Sequence, residues 1–435
     1  MQHALRIDAT GARTNGAEIR VPGDKSITIR ALLLGAAANR TTVIRNPLDA
    51  LDTRSALNAV QALGAKVEEK DSAWMLRGGK LQSPDAPVDL GNSGTALRLL
   101  AGLLAGMEGI DAVLTGDESL RARPMARIVE PLRLMGADIQ YLEQEGKAPL
   151  RVRGTRLLGI SYEMQVASAQ VKSALMMAAL GADGETTIVE RTPTRDHTER
   201  MLPLFGAPVR ISEGDGARSI SVNAAKLQAA EVIVPGDFSS AFLWVVLSAL
   251  LPGDGVHISG VGLNETRMGA LRLLQDAGAD INVHLAGYLG AEPVGNITVS
   301  PSKLKPLRIA AANVPLMIDE IPLLALTASQ ADGESMLEGL GELRHKESDR
   351  ISETARVLAA FGVKAGAKGD TLSVIGTQKL APAEVDCGDD HRIALLALAC
   401  ALLAGGESTL HNFASADMSY PGVGEEAKNG LGLRN

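Results

Sequence analysis

At 435 residues, the chain has room for two or three domains with substantial cores. Apolar residues make up 46% of it but aromatics only 3%, which argues against a base-stacking nucleic-acid surface, and the net charge of −8 argues against a general polyanion binder. Cys387 and Cys400 are too few for a disulfide framework and point to a reducing cytoplasm.

The first residues, Met1 to Asp8, lack the apolar core of a signal peptide. Ala4–Val21 is expected to form the first strand. Val21-Pro22-Gly23-Asp24 follows and runs through Lys25-Ser26-Ile27-Thr28-Ile29-Arg30 into an apolar helix. The same tetrapeptide returns as Val234-Pro235-Gly236-Asp237, now followed by Phe238-Ser239-Ser240-Ala241-Phe242-Leu243. The chain therefore reads as a duplicated structure, with chemistry expected in the charged copy. Its most membrane-like stretch, Ala241–Pro252, spans 12 residues, against the ~20 that cross a bilayer, so Phe242 and Trp244 are expected in a core.

A shorter repeat runs through both parts. A helical stretch ends in a glycine turn and an apolar strand follows, at Leu63-Gly64-Ala65, Met135-Gly136-Ala137, Phe205-Gly206-Ala207, Ala277-Gly278-Ala279, Phe361-Gly362-Val363 and, degenerate, Leu431-Gly432-Leu433. The glycines recur every 70 to 84 residues, and glycine suits a helix C-cap that needs positive φ. Each unit holds a second helix, rich in Ala and Leu, that leads to a strand: Lys172–Leu180 before Thr186–Glu190, Ile321–Ala331 before Ser335–Glu338, and Arg392–Leu403 before Ser408–His411. The expectation is two similar halves of three units each, in the mixed α/β or α+β class, with a boundary near 234. Ala4–Val21 is expected to pair with the second half, because the last unit is short at its C-terminus. Residues 284–306 are expected to form a hairpin or loop.

Distinctive polar segments fall just before the Ala/Leu-rich helices: Gly23-Asp24-Lys25-Ser26, Gly91-Asn92-Ser93-Gly94-Thr95, Ala167-Ser168-Ala169-Gln170, Gly236-Asp237-Phe238-Ser239, Ile318-Asp319-Glu320 and Gly388-Asp389-Asp390-His391-Arg392. Capping explains any one of them. Helix N-termini also bind phosphate or carboxylate, and cations recur beside them: Lys25 and Arg30, Arg121 and Arg123, Lys172, Arg344 with Lys346 and Arg350, and Arg392. Arginine grips such anions bidentately, and lysine acts as a point charge. No Gly-x-x-x-x-Gly-Lys-Ser/Thr loop is present, Gly91–Thr95 lacks the dinucleotide spacing, and the seven histidines show no His-x-x-x-His pair. Cys387 reads as a small buried thiol rather than a nucleophile. Asp319 and Glu347 are the candidate proton-transfer groups. The alternatives are a helix N-cap ahead of Pro322 for Asp319 and an ion-pair partner of Lys346 or Arg350 for Glu347.

Pro22-Gly23-Asp24-Lys25-Ser26 with Arg30, Gly91-Asn92-Ser93-Gly94-Thr95 with Arg98, and Leu120-Arg121-Ala122-Arg123-Pro124-Met125 resemble the 5-enolpyruvylshikimate-3-phosphate synthase family. So do Ser168-Ala169-Gln170-Val171-Lys172, Ile318-Asp319-Glu320-Ile321-Pro322, Leu343-Arg344-His345-Lys346-Glu347-Ser348-Asp349-Arg350 and Asp390-His391-Arg392-Ile393-Ala394. The resemblance covers nearly the whole chain, in order. It implies two domains, 22–234 and 1–21 plus 235–435, each of three βαβαββ-type units around a pseudo-threefold axis, with the active site between them. It implies transfer of the enolpyruvyl group of phosphoenolpyruvate to the 5-hydroxyl of shikimate 3-phosphate, with no cofactor and no metal, by a cytoplasmic monomer that binds neither nucleic acid nor membrane.

By the same resemblance, Lys25, Ser26, Arg30, Ser168, Ala169, Gln170, Arg195, Asp319 and Lys346 would hold shikimate 3-phosphate. Lys25, Gly94, Arg123, Gln170, Arg350 and Arg392 would hold phosphoenolpyruvate. Asp319 would take the hydroxyl proton, and Glu347 with Lys25 would serve the methylene proton. Gly23-Asp24-Lys25, Ser168-Ala169-Gln170-Val171-Lys172, Arg195-Asp196-His197-Thr198-Glu199 and Asn264-Glu265-Thr266-Arg267 together resemble the class II branch, often tolerant of the inhibitor glyphosate, and Gly94 keeps the small residue that usually leaves room for it. The chain departs from the pattern at Ile29, at Leu99, and at Met418, where some members place a phosphoenolpyruvate-binding lysine. The alternatives are a UDP-N-acetylglucosamine enolpyruvyl transferase, whose loop cysteine is absent from Gly116–Arg123, and a non-catalytic anion-binding scaffold.

Overall fold

All six repeated glycines adopt positive φ, between 65° at Gly432 and 100° at Gly278. The N–H after each glycine bonds back five residues, from Ala65 to Val60, Ala137 to Leu132, Ala207 to Leu202, Ala279 to Leu274, Val363 to Leu358 and Leu433 to Lys428, at 2.9–3.1 Å. These are Schellman turns, and they explain the glycine, which alone reaches this backbone region without a Cβ penalty. The structure, a computed structural model, describes residues 4–433; the extreme ends of the expected 1–21 plus 235–435 domain, Met1–His3 and Arg434–Asn435, lie outside the described residues.

Each unit places a buried helix before the one that ends in the glycine. We label the buried helices α1 (Lys25–Ala37), α2 (Gly94–Ala105), α3 (Ala169–Ala179), α4 (Phe238–Leu250), α5 (Ile321–Ala328) and α6 (His391–Ala404). They are apolar on nearly every face, as a helix enclosed on all sides must be. Among the described residues no helix is long and apolar enough to cross a membrane; Phe242 and Trp244, on α4, lie in the core.

A sheet of three or four strands accompanies each unit, the third adding a two-stranded pair, Leu157–Leu158 with Ala182–Asp183, and the four-stranded topology recurs. Val88–Asp89 lies parallel to Asp111–Thr115, which pairs antiparallel with Leu150–Arg153, and Asp138–Tyr141 completes the sheet. The same order is repeated by Ser161–Glu163, Thr186–Glu190, Ala217–Val222 and Val209–Gly214, and by Arg308–Ile309, Glu334–Leu337, Thr371–Ile375 and Ala365–Lys368.

The expected first strand, Ala4–Val21, is two strands. Leu5–Asp8 pairs antiparallel with Glu407–His411, and Glu18–Ile19 pairs parallel with Val256–Gly262. Gly11 and Gly16, both at positive φ, break the segment between them. Residues expected as a hairpin or loop form a long hairpin, Asp280–Leu289 and Glu292–Ser300.

The chain divides into two compact units. One comprises Gly23–Val234 with the hairpin turn Tyr288–Glu292, and the other Met1–Pro22, Pro235–Gly287 and Pro293–Asn435. Each has its own apolar core. The first is built on α1–α3 and the second on α4–α6. In the first, α2 and α3 approach so closely that a Cβ at Gly102 would lie 2.2 Å from the Ala174 carbonyl oxygen.

Candidate active site

In the first unit the polar segments cap the buried helices and leave cations at their starts. Asp24 accepts from the Ile27 N–H at 2.9 Å, and Ser93 and Ser168 cap α2 and α3 in the same way. Capping and ligand binding are therefore not rival readings, because the cap fixes the backbone that carries the neighbouring cation. Lys25, at the first turn of α1, places Nζ 2.8 Å from the Asp52 carboxylate, with both side chains largely buried. Ser26, Ser168, Ala169 and Gln170 are half-buried. The Gln170 amide ties two helix starts together: its Oε1 accepts from Arg98 Nη1 at 2.5 Å and its Nε2 donates to Thr95 Oγ1 at 2.9 Å. Arg123 donates to Asn92, whose amide in turn donates to Asp117 at 2.8 Å.

Arg30 is buried and engaged by the protein through all three guanidinium nitrogens. Its Nε donates to Thr198 Oγ1 at 2.8 Å, Nη2 to Ser173 Oγ at 2.9 Å and Nη1 to the Ser26 carbonyl at 3.0 Å. Burial pushes its pKa down to about 10; Glu199 and Asp24 oppose this and the charge of Arg195 adds to it. Arg195 itself is half-buried. Gly94 opens α2 beside Arg98 and Arg123, and a Cβ there would lie 3.0 Å from a guanidinium nitrogen of each. A side chain at Gly94 would therefore crowd both guanidinium groups.

In the second unit one arginine gathers the two candidate acids. Arg350 opens the helix Arg350–Ala360 and is 1% exposed. Its Nη1 donates to Asp319 Oδ1 at 3.1 Å and its Nη2 to Glu347 Oε2 at 2.6 Å. Its Nε and Nη2 also donate to the two oxygens of Asp390, at 2.8 and 3.1 Å. Burial works to lower the pKa of this guanidinium, but Asp390, Glu347 and Asp319 outweigh it and raise the value above normal. Lys346 Nζ stands 4.0 Å from Asp319. Asp390 caps α6 by accepting from Arg392 N–H at 2.9 Å. The Arg392 side chain is 7% exposed, and its Nε has no hydrogen-bond partner among the described residues. A desolvated guanidinium nitrogen left this way suits an incoming anion.

Several cations that stand out in the sequence do structural work instead. Lys172 is 0% exposed, 2.9 Å from Glu190 and 2.7 Å from Glu199. Arg121 pairs with Glu143 at the surface, and Arg344 with Asp349 and Asp370. Cys387 is buried, and burial pushes its thiol up to about 12, as a packing residue requires. Ile29 and Leu99 lie in the core, and Met418 is half-buried at the end of the short turn Phe413–Met418.

Sequence reasoning assigned no role to Asp52, Thr198 or Ser173, and to Asp390 only a place in a capping segment. Each contacts a candidate residue from a distant segment, and no periodicity links residues 27, 168 or 143 positions apart. Asp390 alone carried a local signal, its place two residues before Arg392 at a helix start.

The family model described as EPSP synthase (3-phosphoshikimate 1-carboxyvinyltransferase) matches residues 10–426. A 3-phosphoshikimate 1-carboxyvinyltransferase of Synechococcus sp. (strain WH7803) is 44% identical over 424 residues, covering 96% of each chain. Among solved structures, EPSP synthase from Acinetobacter baumannii superposes with a TM-score of 0.85 at 38% identity, covering 99% of each chain. The enolpyruvyl transferase NikO from Streptomyces tendae, at 20% identity and a TM-score of 0.82 over 100% of this chain and 98% of its own, shares the fold.

Proposed function

From a chain that belongs to the EPSP synthase family, we infer a 3-phosphoshikimate 1-carboxyvinyltransferase. It transfers the enolpyruvyl group of phosphoenolpyruvate to the 5-hydroxyl of shikimate 3-phosphate, giving 5-enolpyruvylshikimate 3-phosphate and phosphate by addition and elimination. The observation that carries the site assignment is Arg350, which holds Asp319 and Glu347 on one guanidinium although 27 residues separate them.

Both substrates are multiply charged anions, so their binding needs several cations. Lys25, Ser26, Arg30, Ser168, Ala169, Gln170, Arg195, Asp319 and Lys346 are assigned to shikimate 3-phosphate. Lys25, Gly94, Arg123, Gln170, Arg350 and Arg392 are assigned to phosphoenolpyruvate. In the addition, the 5-oxygen bonds to C2 of phosphoenolpyruvate as its proton passes to Asp319, and C3 gains a proton from Glu347, a transfer in which Lys25 is assigned to assist. The product of that step is a tetrahedral ketal phosphate. In the elimination, C3 returns a proton to Glu347, the C2–O bond to phosphate breaks, and the departing phosphate takes the proton held by Asp319. Exclusion of water protects the enol from stray hydrolysis. The reading places the reaction in the cytoplasm, carried out by a monomer without a cofactor, and includes tolerance of glyphosate.

A phosphate-release assay tests this. Release with phosphoenolpyruvate and shikimate 3-phosphate, and none with UDP-N-acetylglucosamine, is expected; the opposite pattern or no release overturns the reading. Glyphosate titrated into the same assay is expected to inhibit weakly, and an inhibition constant near that of sensitive enzymes removes the tolerance.

A further inference from the structure

The second Val-Pro-Gly-Asp copy and the segment Asn264-Glu265-Thr266-Arg267 have no part in the chemistry assigned above, yet they meet in the second unit. Asp237 caps α4 by accepting from Ser239 N–H at 2.7 Å. The Ser239 hydroxyl donates to Glu320 Oε1 in a short hydrogen bond. Arg267 Nη2 donates to Ser239 Oγ at 2.6 Å and stands 3.4 Å from Asp237 and 4.0 Å from Glu320. All four residues are at most 3% exposed.

Glu320 immediately follows Asp319. It stands at the N-cap position of α5, but its side chain makes no capping bond. Its main chain is held on both sides, N–H to the Met317 carbonyl at 3.0 Å and carbonyl to the Leu324 N–H at 2.9 Å. A buried carboxylate is costly unless it is paired and hydrogen-bonded. A cap would need only a serine or aspartate. The glutamate here instead reaches a helix 81 residues away in sequence.

The geometry points to Glu320 as the positioning residue for Asp319. This rests on the reading of Asp319 as proton acceptor. Adjacent Cα atoms are fixed ~3.8 Å apart across the peptide bond, so a Glu320 anchored at main chain and side chain sets the frame from which the Asp319 carboxylate extends. The duplicated turn thereby acquires a second use. In the first copy the helix start presents Lys25; in the second the start of α4 is occupied by the chain's own carboxylate, and it holds the base.

Glu320→Ala, Glu320→Gln and Asp319→Ala are compared by kcat, by KM for both substrates and by thermal unfolding. Glu320→Ala is expected to lose about 100-fold in kcat, the cost of a misplaced group, with each KM within roughly threefold. Glu320→Gln retains an acceptor for the Ser239 hydroxyl and is expected to recover kcat to within about tenfold of the parent. A folded Glu320→Ala protein with parental kcat, beside an inactive Asp319→Ala, overturns the positioning role and leaves the assignment of Asp319 standing. An active Asp319→Ala overturns both. If Glu320→Ala does not fold, Ser239→Ala decides: about tenfold lower kcat at unchanged KM supports the role, and parental kcat overturns it.

Discussion

Asp319→Ala is expected to lower kcat by about three orders of magnitude while both substrates still bind with near-parental affinity. The size follows from the loss of a general base in a step where the hydroxyl proton must leave as the carbon–oxygen bond forms. Binding survives because the cations assigned to the two anions remain. The fold survives too, because Arg350 keeps its contacts to Asp390 and Glu347 when Asp319 is gone. Arg350, the buried cation bonded to Asp319, is not left uncompensated, which is what makes the breaking of most buried pairs expensive. Calorimetric binding of shikimate 3-phosphate and single-turnover kinetics separate these effects. A variant with near-normal kcat refutes the role.

Lys172→Met should do the reverse, with the largest effect on stability. The methionine fills a similar volume, but Glu190 and Glu199 lose the ammonium that lies within 3 Å of both. Glu190 keeps the Thr194 hydroxyl at 2.8 Å and Arg218 at 3.6 Å, so the larger penalty falls on Glu199. Removing one partner of a buried pair costs about 3–5 kcal/mol, which for a unit of this size lowers Tm on the order of 10 °C. The pH dependence gives a sharper check. Burial raises the pKa of Glu199 and Lys172 works against that rise, so the variant's Glu199 is raised further. A carboxyl with a raised folded-state pKa is best tolerated below its unfolded value and destabilises as pH climbs through the folded one. The Tm deficit should therefore shrink as pH falls from ~8 toward ~5, and the added change Glu199→Gln should restore part of it. A Tm deficit independent of pH contradicts the account.

Lys172 also shows what the sequence could and could not disclose. Its place beside Gln170 at a helix start matched the other cations, and nothing local revealed that Glu190 and Glu199 enclose it. The same holds for Arg344, whose partners Asp349 and Asp370 make it a surface pair. The six glycine turns were legible because a Schellman turn is closed by residues within six positions of one another. The buried helices were legible from their unbroken Ala and Leu content. The first strand was misjudged because Gly11 and Gly16 divide a segment whose composition otherwise reads as continuous. Asp319 and Glu347 were identifiable as acids in unusual surroundings, but their common attachment to Arg350 is a property of the folded chain.

The pairing of Leu5–Asp8 with Glu407–His411 bears on how the protein is made. A ribosome releases the first strand about 400 residues before its partner, an interval of tens of seconds at common rates of synthesis. The Glu18–Ile19 strand waits for Val256–Gly262 in the same way. Nearly all of the unit built on α1–α3, Gly23–Val234, emerges during that delay and can form its core while both early strands remain unmatched. The second unit closes only when the last sheet is delivered, so newly made chains carry two waiting strand edges, and these are where chaperones would be expected to act.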